Sequence, residues 1–304
     1  MRRVYLKIAG LVAALIDMLP AFCRRELFRI AARSIGVKYA AFDGRQGTFE
    51  GPIYDRVIWP LYLSQGVLDI GTCNLLKSFF KTGTGTLIDV GANIGIVCIP
   101  IKRELPGVDA YAIEPDPDNC ECLRMNAFRA GISDIRLFKR AAHWRECVLD
   151  FELSNDNAGD HRVRNKKSAS EKELCNESSR PLIQVQAAPL DALIPLSNLK
   201  HPVVMTCDVQ GAEVDALGGA TQLLESVDVM IIEFWPYGLK RAGADLEKFF
   251  SIIAGFPCGA NFYSMDETTV RLIPIRELVE QLRRIYTEES GILHYDVVLA
   301  KKPF

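Results

Sequence analysis

From residue 86 onward the chain alternates short apolar runs with helical stretches, and that rhythm limits the fold more than any other feature of its 304 residues. Residues 86–90, 109–113, 135–139, 203–207, 227–232 and 294–300 read as strands by length and β-branching. Residues 94–104 and 117–130 read as the helices between the first three. Strand–helix alternation implies a doubly wound α/β sheet, mostly parallel, with helices on both faces. The rhythm fails between 140 and 190, where 147–153 and 182–187 look like strands around a polar, turn-rich loop at 154–181. A loop of that length inside a compact domain is functional or disordered. Residues 1–80 read as a helical extension, with a helix at 68–80 and a turn at Phe49-Glu50-Gly51-Pro52. The glycine-bearing break Lys81-Thr82-Gly83-Thr84-Gly85 then opens the main domain, 81–304.

Hydrophobic residues at 49% and charged residues at 24% exclude a disordered or fibrous chain. With 36 Lys+Arg against 38 Asp+Glu, no overall charge draws the chain to nucleic acid. The 9 cysteines are scattered without a CxxC pair, and Cys120 and Cys122 are too isolated for a zinc site. Reduced thiols in a cytoplasmic protein follow. Residues 4–22 are strongly apolar behind Arg2 and Arg3, but Lys7, Asp17 and Pro20 interrupt them, which argues against a spanning helix or a signal peptide. They read as a helix packed on the domain or, more sharply, as a peripheral contact of residues 1–25 with the cytoplasmic membrane face. The sequence sets no oligomeric state.

Asp89-Val90-Gly91-Ala92-Asn93-Ile94-Gly95 closes the first strand of the alternation and opens the first helix. Glycines there let the backbone turn sharply and approach a ligand. Such a turn lies at the carboxyl ends of the strands, where doubly wound sheets bind ligands. Its spacing is not the G-x-G-x-x-G dinucleotide fingerprint, so a pyrophosphate cradle is not indicated. Glu114 ends the second strand, followed by Pro115, and a carboxylate at that place accepts both ribose hydroxyls of a nucleoside.

The segments DVGANIG, IEPDPDNCECLRMNA, CDVQGAEVDALGGA and IIEFWPYGL, in that order, resemble the FkbM-type family of S-adenosylmethionine (SAM)-dependent methyltransferases. The resemblance covers roughly residues 49–300, and SNDNAGDHRV at 154–163 is similar to a loop in part of that family. It implies a class I methyltransferase (Rossmann-like) fold, a seven-stranded sheet whose last strand runs antiparallel. It also implies SAM as methyl donor and a hydroxyl on a sugar, lipid-linked glycan or natural product as acceptor. By position, Asp89, Gly91, Ala92, Asn93 and Gly95 would line the methionine end of SAM. Glu114, beside Pro115, would hold the ribose, and Asp116 and Ala141 would lie near the adenine. Family members often carry Lys two residues before the third motif's Asp; Thr206 stands there instead, and Gln210 replaces a common Glu.

Methyl transfer from a sulfonium needs an aligned acceptor oxygen and a group to take its proton. Asp208 would orient the acceptor or hold the methionine amino group, unless it only caps the next helix. Glu213 reads as balancing that helix's dipole. His161, in the polar loop beside Asp160, is the sharper candidate base, so that His161→Ala should lower turnover while SAM binding survives. Asp208 and Glu233, at neighbouring strand ends, form a candidate Mg²⁺ pair that lacks a clear third ligand. The run Phe234-Trp235-Pro236-Tyr237-Gly238 offers an aromatic surface over the site. The basic run 162–167 reads as a solvated loop or a phosphate contact. The rival readings are a nicotinamide dehydrogenase, a nucleic-acid or protein methyltransferase of the same fold, and a non-catalytic SAM-binding scaffold.

Overall fold

The computed structural model describes residues 36–303, apart from 60–61, 63–65, 68–69, 165–173, 176, 263–269 and 289–292, together with isolated positions between 20 and 34. The apolar stretch at 4–22 lies outside the described residues except for Pro20. Two compact units form: residues 1–68 with 155–157, and residues 69–154 with 158–304.

The first unit is not purely helical. Strands β1 (Tyr39–Gly44) and β2 (Gly47–Pro52) make an antiparallel hairpin, pairing Phe42 with Phe49 and Gly44 with Gly47. The turn expected at Phe49-Glu50-Gly51-Pro52 is therefore a strand, and the chain reverses at Arg45-Gln46. Pro52 misleads because it ends its strand, where a missing N–H costs no ladder bond. Tilted and edge-on rings, Phe42 on Trp59 at 4.8 Å and Phe49 on Tyr62 at 5.6 Å, pack the hairpin's base. Trp59 Nε1 donates to the Pro52 carbonyl at 2.7 Å.

The second unit is built on β3 (Thr84–Val90), β4 (Gly107–Ile113), β5 (Ile135–Phe138), β10 (Val203–Cys207), β11 (Val229–Phe234), β12 (Cys258–Phe262), β13 (Ile273–Pro274) and β14 (Tyr295–Ala300). Their order is β13-β12-β14-β11-β10-β3-β4-β5. β3, β4, β5, β10 and β11 run parallel, and β14 runs antiparallel to β11 and β12. This is the class I methyltransferase arrangement, with the two-residue β13 as an added edge. β10 and β11 are buried along their whole length, as strands covered on both faces must be. Ile88, Met205, Leu217, Ile232, Phe249 and Leu282 belong to one continuous core. The helix Ile70–Phe79 buries Cys73, Leu75, Leu76 and Phe79 in this unit, so the boundary precedes the break at 81–85. The next helix begins at Cys98 rather than 94, because residues 91–97 are spent on the turn.

Between β5 and β10 the chain makes a second sheet of β6 (Ala141–Ala142), β7 (Cys147–Glu152), β8 (Arg162–Val163) and β9 (Leu182–Ala188), ordered β6-β9-β7-β8. Its far end is fastened by charge. Arg162 is fully buried and donates to Glu152 at 2.6 Å, Asp160 at 2.6 Å and Glu177 at 2.8 Å. Arg180 pairs with Asp160, and Arg241, from the helix Pro236–Ala242, reaches Glu152 at 3.2 Å. The first residue of the basic run is thus an internal tie, not a solvated charge, and Arg164 leans on Glu152 at 3.7 Å. Removing one partner of a buried pair costs about 3–5 kcal/mol, because the other charge is left in a medium that cannot solvate it. Glu152→Gln should therefore lower unfolding stability by about that amount, read as a fall in Tm and in the urea midpoint.

Candidate active site

The site forms where the tips of β3, β4 and β10 are held together by backbone. Gly91 N and Ala92 N donate to the Ile113 carbonyl at 2.9 and 3.1 Å, and Asp208 N donates to the Val90 carbonyl at 3.0 Å. Gly91 has φ +89°, and a Cβ there would run into the Asp208 carbonyl. Only glycine permits both the dihedral and the approach. Gly95 closes the turn by donating to Ala92 O at 2.8 Å.

Glu114 faces this turn from the tip of β4. Its Oε2 accepts from Asn93 N at 2.8 Å and its Oε1 from Asp116 N at 2.9 Å. Each carboxylate oxygen has a second lone pair, so two acceptor positions remain. Burial pushes the carboxyl up to about 7; the Asp116 charge adds to this, and the two amide bonds oppose it. Asp89 lies beneath the turn, 3% exposed, and accepts from Thr206 Oγ1 at 2.9 Å and Cys98 N at 3.2 Å. Burial raises it to about 6 against those bonds. Thr206 thus supplies a neutral donor at the position where the family resemblance suggests lysine. Asp89 braces the turn with the oxygens it was expected to offer a ligand.

His161 joins the same side. Its Nδ1–H donates to Asp116 Oδ2 at 2.6 Å, with both side chains buried and Phe151 edge-on at 6.4 Å. Asp116 also caps the helix Pro117–Arg129 by accepting from Asp118 N at 2.8 Å. Pro115 follows Glu114, and Ala141 is buried in β6. Asp116 follows β4 and Asp208 follows β10, two places apart in the sheet, which at strand spacing is about 10 Å. The structure ties His161 to Asp116, not to Asp208 or Glu233.

A separate acidic group occupies the tips of β10 and β11. Carboxylate oxygens of Asp208, Glu213 and Glu233 lie within 4.8 Å of one another. Asp208 is exposed; Glu213 and Glu233 are buried. Glu213 Oε1 accepts from Gly211 N at 3.1 Å and Val209 N at 3.2 Å, while its Oε2 is buried with no hydrogen-bond partner. An unmatched buried acceptor of this kind costs about 1–3 kcal/mol. Gln210, at φ +58°, places Nε2 at 2.7 Å from Asp208 Oδ1 and 3.2 Å from both oxygens of Glu233. Burial pushes Glu213 up to about 7, and burial with the charges of Asp208, Glu213 and Asp296 pushes Glu233 far above the carboxylate range. Asp208 does not cap the helix Glu213–Gly218, whose N-cap is Ala212. Glu213 is the third acid that the sequence reading gave to a helix dipole. The usable signal was its position in the first turn of a helix that starts just past a strand tip.

The aromatic run is not an open surface. Phe234 is inside the core against Phe249 and Phe250, and Trp235 and Tyr237 are buried. Tyr237 donates to Glu177 at 2.6 Å and accepts from Leu174 N at 3.0 Å, which fastens the insertion.

The methyltransferase FkbM domain model matches residues 89–257. The hexuronic acid methyltransferase AglP of Haloferax volcanii is 30% identical over 149 residues, 48% of this chain and 54% of AglP. The chain thus spans about half the length of that relative. The 2-O-methyltransferase NoeI of Sinorhizobium fredii is 27% identical over 197 residues, 60% of this chain and 79% of NoeI. Among solved structures, the methyltransferase domain of METTL16 aligns with a TM-score of 0.43 and 12% identity over 94% of each chain.

The buried acids impose a pH dependence on the ligand-free protein. Glu114 has a folded pKa of about 7 against 4.5 for an ordinary glutamate, so its protonated form is the one favoured by folding. That contribution is complete below 4.5 and is lost as pH rises through 7. It is on the order of 3 kcal/mol. Thermal unfolding should show Tm falling between pH 5 and 8, and Glu114→Gln should flatten part of that slope.

Proposed function

The chain belongs to the methyltransferase FkbM family, and we propose that it transfers a methyl group from SAM to a hydroxyl of a sugar, a lipid-linked glycan or a natural product. The observation that carries this reading is the buried Glu114 carboxylate, set against the Gly91 turn with one backbone amide on each oxygen and a second lone pair left on each. Those two positions suit the vicinal hydroxyls of a ribose, and Gly91 lets the turn beside them close against the Asp208 carbonyl. When bound, SAM supplies an electrophilic methyl on a sulfonium that departs as a neutral thioether.

The chain's own groups must then hold the acceptor and take its proton. Asp208 is the exposed member of the acidic group and is the residue that can meet an incoming hydroxyl. It removes the hydroxyl proton as the oxygen attacks. Gln210 fixes one Asp208 oxygen and ties it to Glu233, which keeps the carboxylate oriented. His161, held by Asp116 at the tip of β4, walls the donor side. The preference for a sugar hydroxyl is supported by the two relatives, one named for hexuronic acid methylation and the other for 2-O-methylation.

Calorimetry with SAM and its demethylated product tests the donor. Glu114→Gln should weaken both at least about tenfold, near 1.4 kcal/mol for one lost charge-assisted bond. Wild-type affinity should rise as pH passes 7, since only the ionised carboxylate accepts from both hydroxyls, and the Gln variant should lose that slope. No heat with either ligand would overturn the reading. Incubation with labelled SAM and fractionated glycan, lipid and small-molecule extracts identifies the acceptor.

Substitutions on the two sides should separate. Asp208→Asn should lower kcat about 10²- to 10⁴-fold with donor affinity intact. His161→Ala should weaken donor binding severalfold. Lost turnover with unchanged donor affinity in His161→Ala would return the base role to His161.

A further inference from the structure

We propose that Asp208, Glu213 and Glu233 form a binding site for one divalent cation of the Mg²⁺ or Mn²⁺ type. The proposal deepens the methyltransferase reading, because the cation would sit where the acceptor hydroxyl is expected. Three carboxylates bring oxygens to within 4.8 Å of one another, from the tip of β10, the start of the helix Glu213–Gly218 and the end of β11. An acidic cluster alone would not suffice, since exposed acids gather on many surfaces. Here two of the three are buried, at 0% and 5% exposure.

The independent observation is the state of Glu213. Two backbone amides, Val209 and Gly211, clamp its Oε1 and so fix the carboxylate plane. Its Oε2 has neither solvent nor a hydrogen-bond donor. A buried carboxylate oxygen with no donor is matched by a cation or by a proton. Around the group, the Gln210 amide bridges Asp208 and Glu233, and His294 lies near enough to act on the Asp208 charge. Neither is bonded to Glu213 Oε2. Hard carboxylate oxygens from three separate elements select Mg²⁺, Mn²⁺ or Ca²⁺ over softer metals.

The chemical consequence follows from the donor reaction. A cation held by these three carboxylates would supply Lewis acidity to the acceptor hydroxyl and make its proton easier to remove. In the transfer step the C–S bond breaks, its electron pair stays on sulfur, and the oxygen–methyl bond forms. The hydroxyl proton passes to the Asp208 carboxylate.

Mn²⁺ titration of the full chain, followed by electron paramagnetic resonance with and without the demethylated donor product, decides the question. The expected result is one Mn²⁺ per chain, displaced by excess Mg²⁺. Asp208→Asn and Glu233→Gln should each weaken it at least tenfold, whereas Asp118→Asn, an acid outside the cluster, should leave it unchanged. Asp208 is exposed, so its variant should fold even if a buried one does not, and a circular dichroism spectrum confirms this. No Mn²⁺ binding, or binding indifferent to Asp208→Asn, would overturn the proposal and leave a proton shared among the three acids. Product binding without Mn²⁺ binding would sink only the metal site. Mn²⁺ binding without product binding would support the metal site and count against the methyltransferase reading.

Discussion

The contact between Gly91 and the Asp208 carbonyl sets the geometry of the strand tips. It brings the loop after β3 against the loop after β10, at the place where the sheet order turns from β3-β4-β5 to β10-β11-β14. Open α/β sheets form a crevice at such a point, because the two flanking connections leave in opposite directions. The glycine narrows that crevice on the floor and leaves its sides to other residues. Glu114 and Asn93 line one side, and Asp208 with Gln210 the other. A larger residue at 91 would spread the tips, so one absent side chain fixes the distance between the Glu114 and Asp208 sides.

Charge is handled differently in the two sheets. In the smaller one, Arg162, Arg180 and Arg241 meet Glu152, Asp160 and Glu177, and buried charges of opposite sign cancel. At the strand tips of the larger one, Asp89, Glu114, Glu213 and Glu233 are buried beside neutral donors: Thr206, Gln210 and backbone amides. Burial accordingly raises each of their pKa values. Buried acids without a paired cation favour a proton or another positive charge beside them. The first network is neutralised internally and the second is not, although both are clusters of ionisable side chains.

The sheet was legible because its signals are local. The β10 run 203–207 and the helix at 117 carry their own periodicity and caps, and the structure places them within a residue of the sequence reading. The Glu114 position was legible because a strand end is a local feature too. What escaped depended on contacts between distant residues. The hairpin Tyr39–Pro52 was hidden by a Gly-Pro pair at its end instead of its turn. Arg162 looked solvated because Glu152 and Glu177 lie far from it in sequence order. The aromatic run looked like a surface because residues distant in sequence, Phe249, Phe250 and Glu177 among them, reveal it as packing. His161 stood out as a lone imidazole, and its partner Asp116 is 45 positions away.

Among the described residues of this unit, two that are not glycine adopt left-handed backbone, Asn93 at φ +50° and Gln210 at φ +58°, one after β3 and the other after β10. Asparagine tolerates that region because its short amide bonds locally, as Asn93 Oδ1 does by accepting from Ile94 N at 2.6 Å. Glutamine's longer amide makes no bond to its neighbouring N–H, and the left-handed region costs about 1–2 kcal/mol there. Its amide is the group that meets Asp208 and Glu233 together. A right-handed residue would aim its side chain elsewhere and leave two crowded carboxylates facing each other. Backbone strain at Gln210 is therefore tolerated because its amide bonds Asp208 and Glu233 together, which places a left-handed residue beside the acidic group.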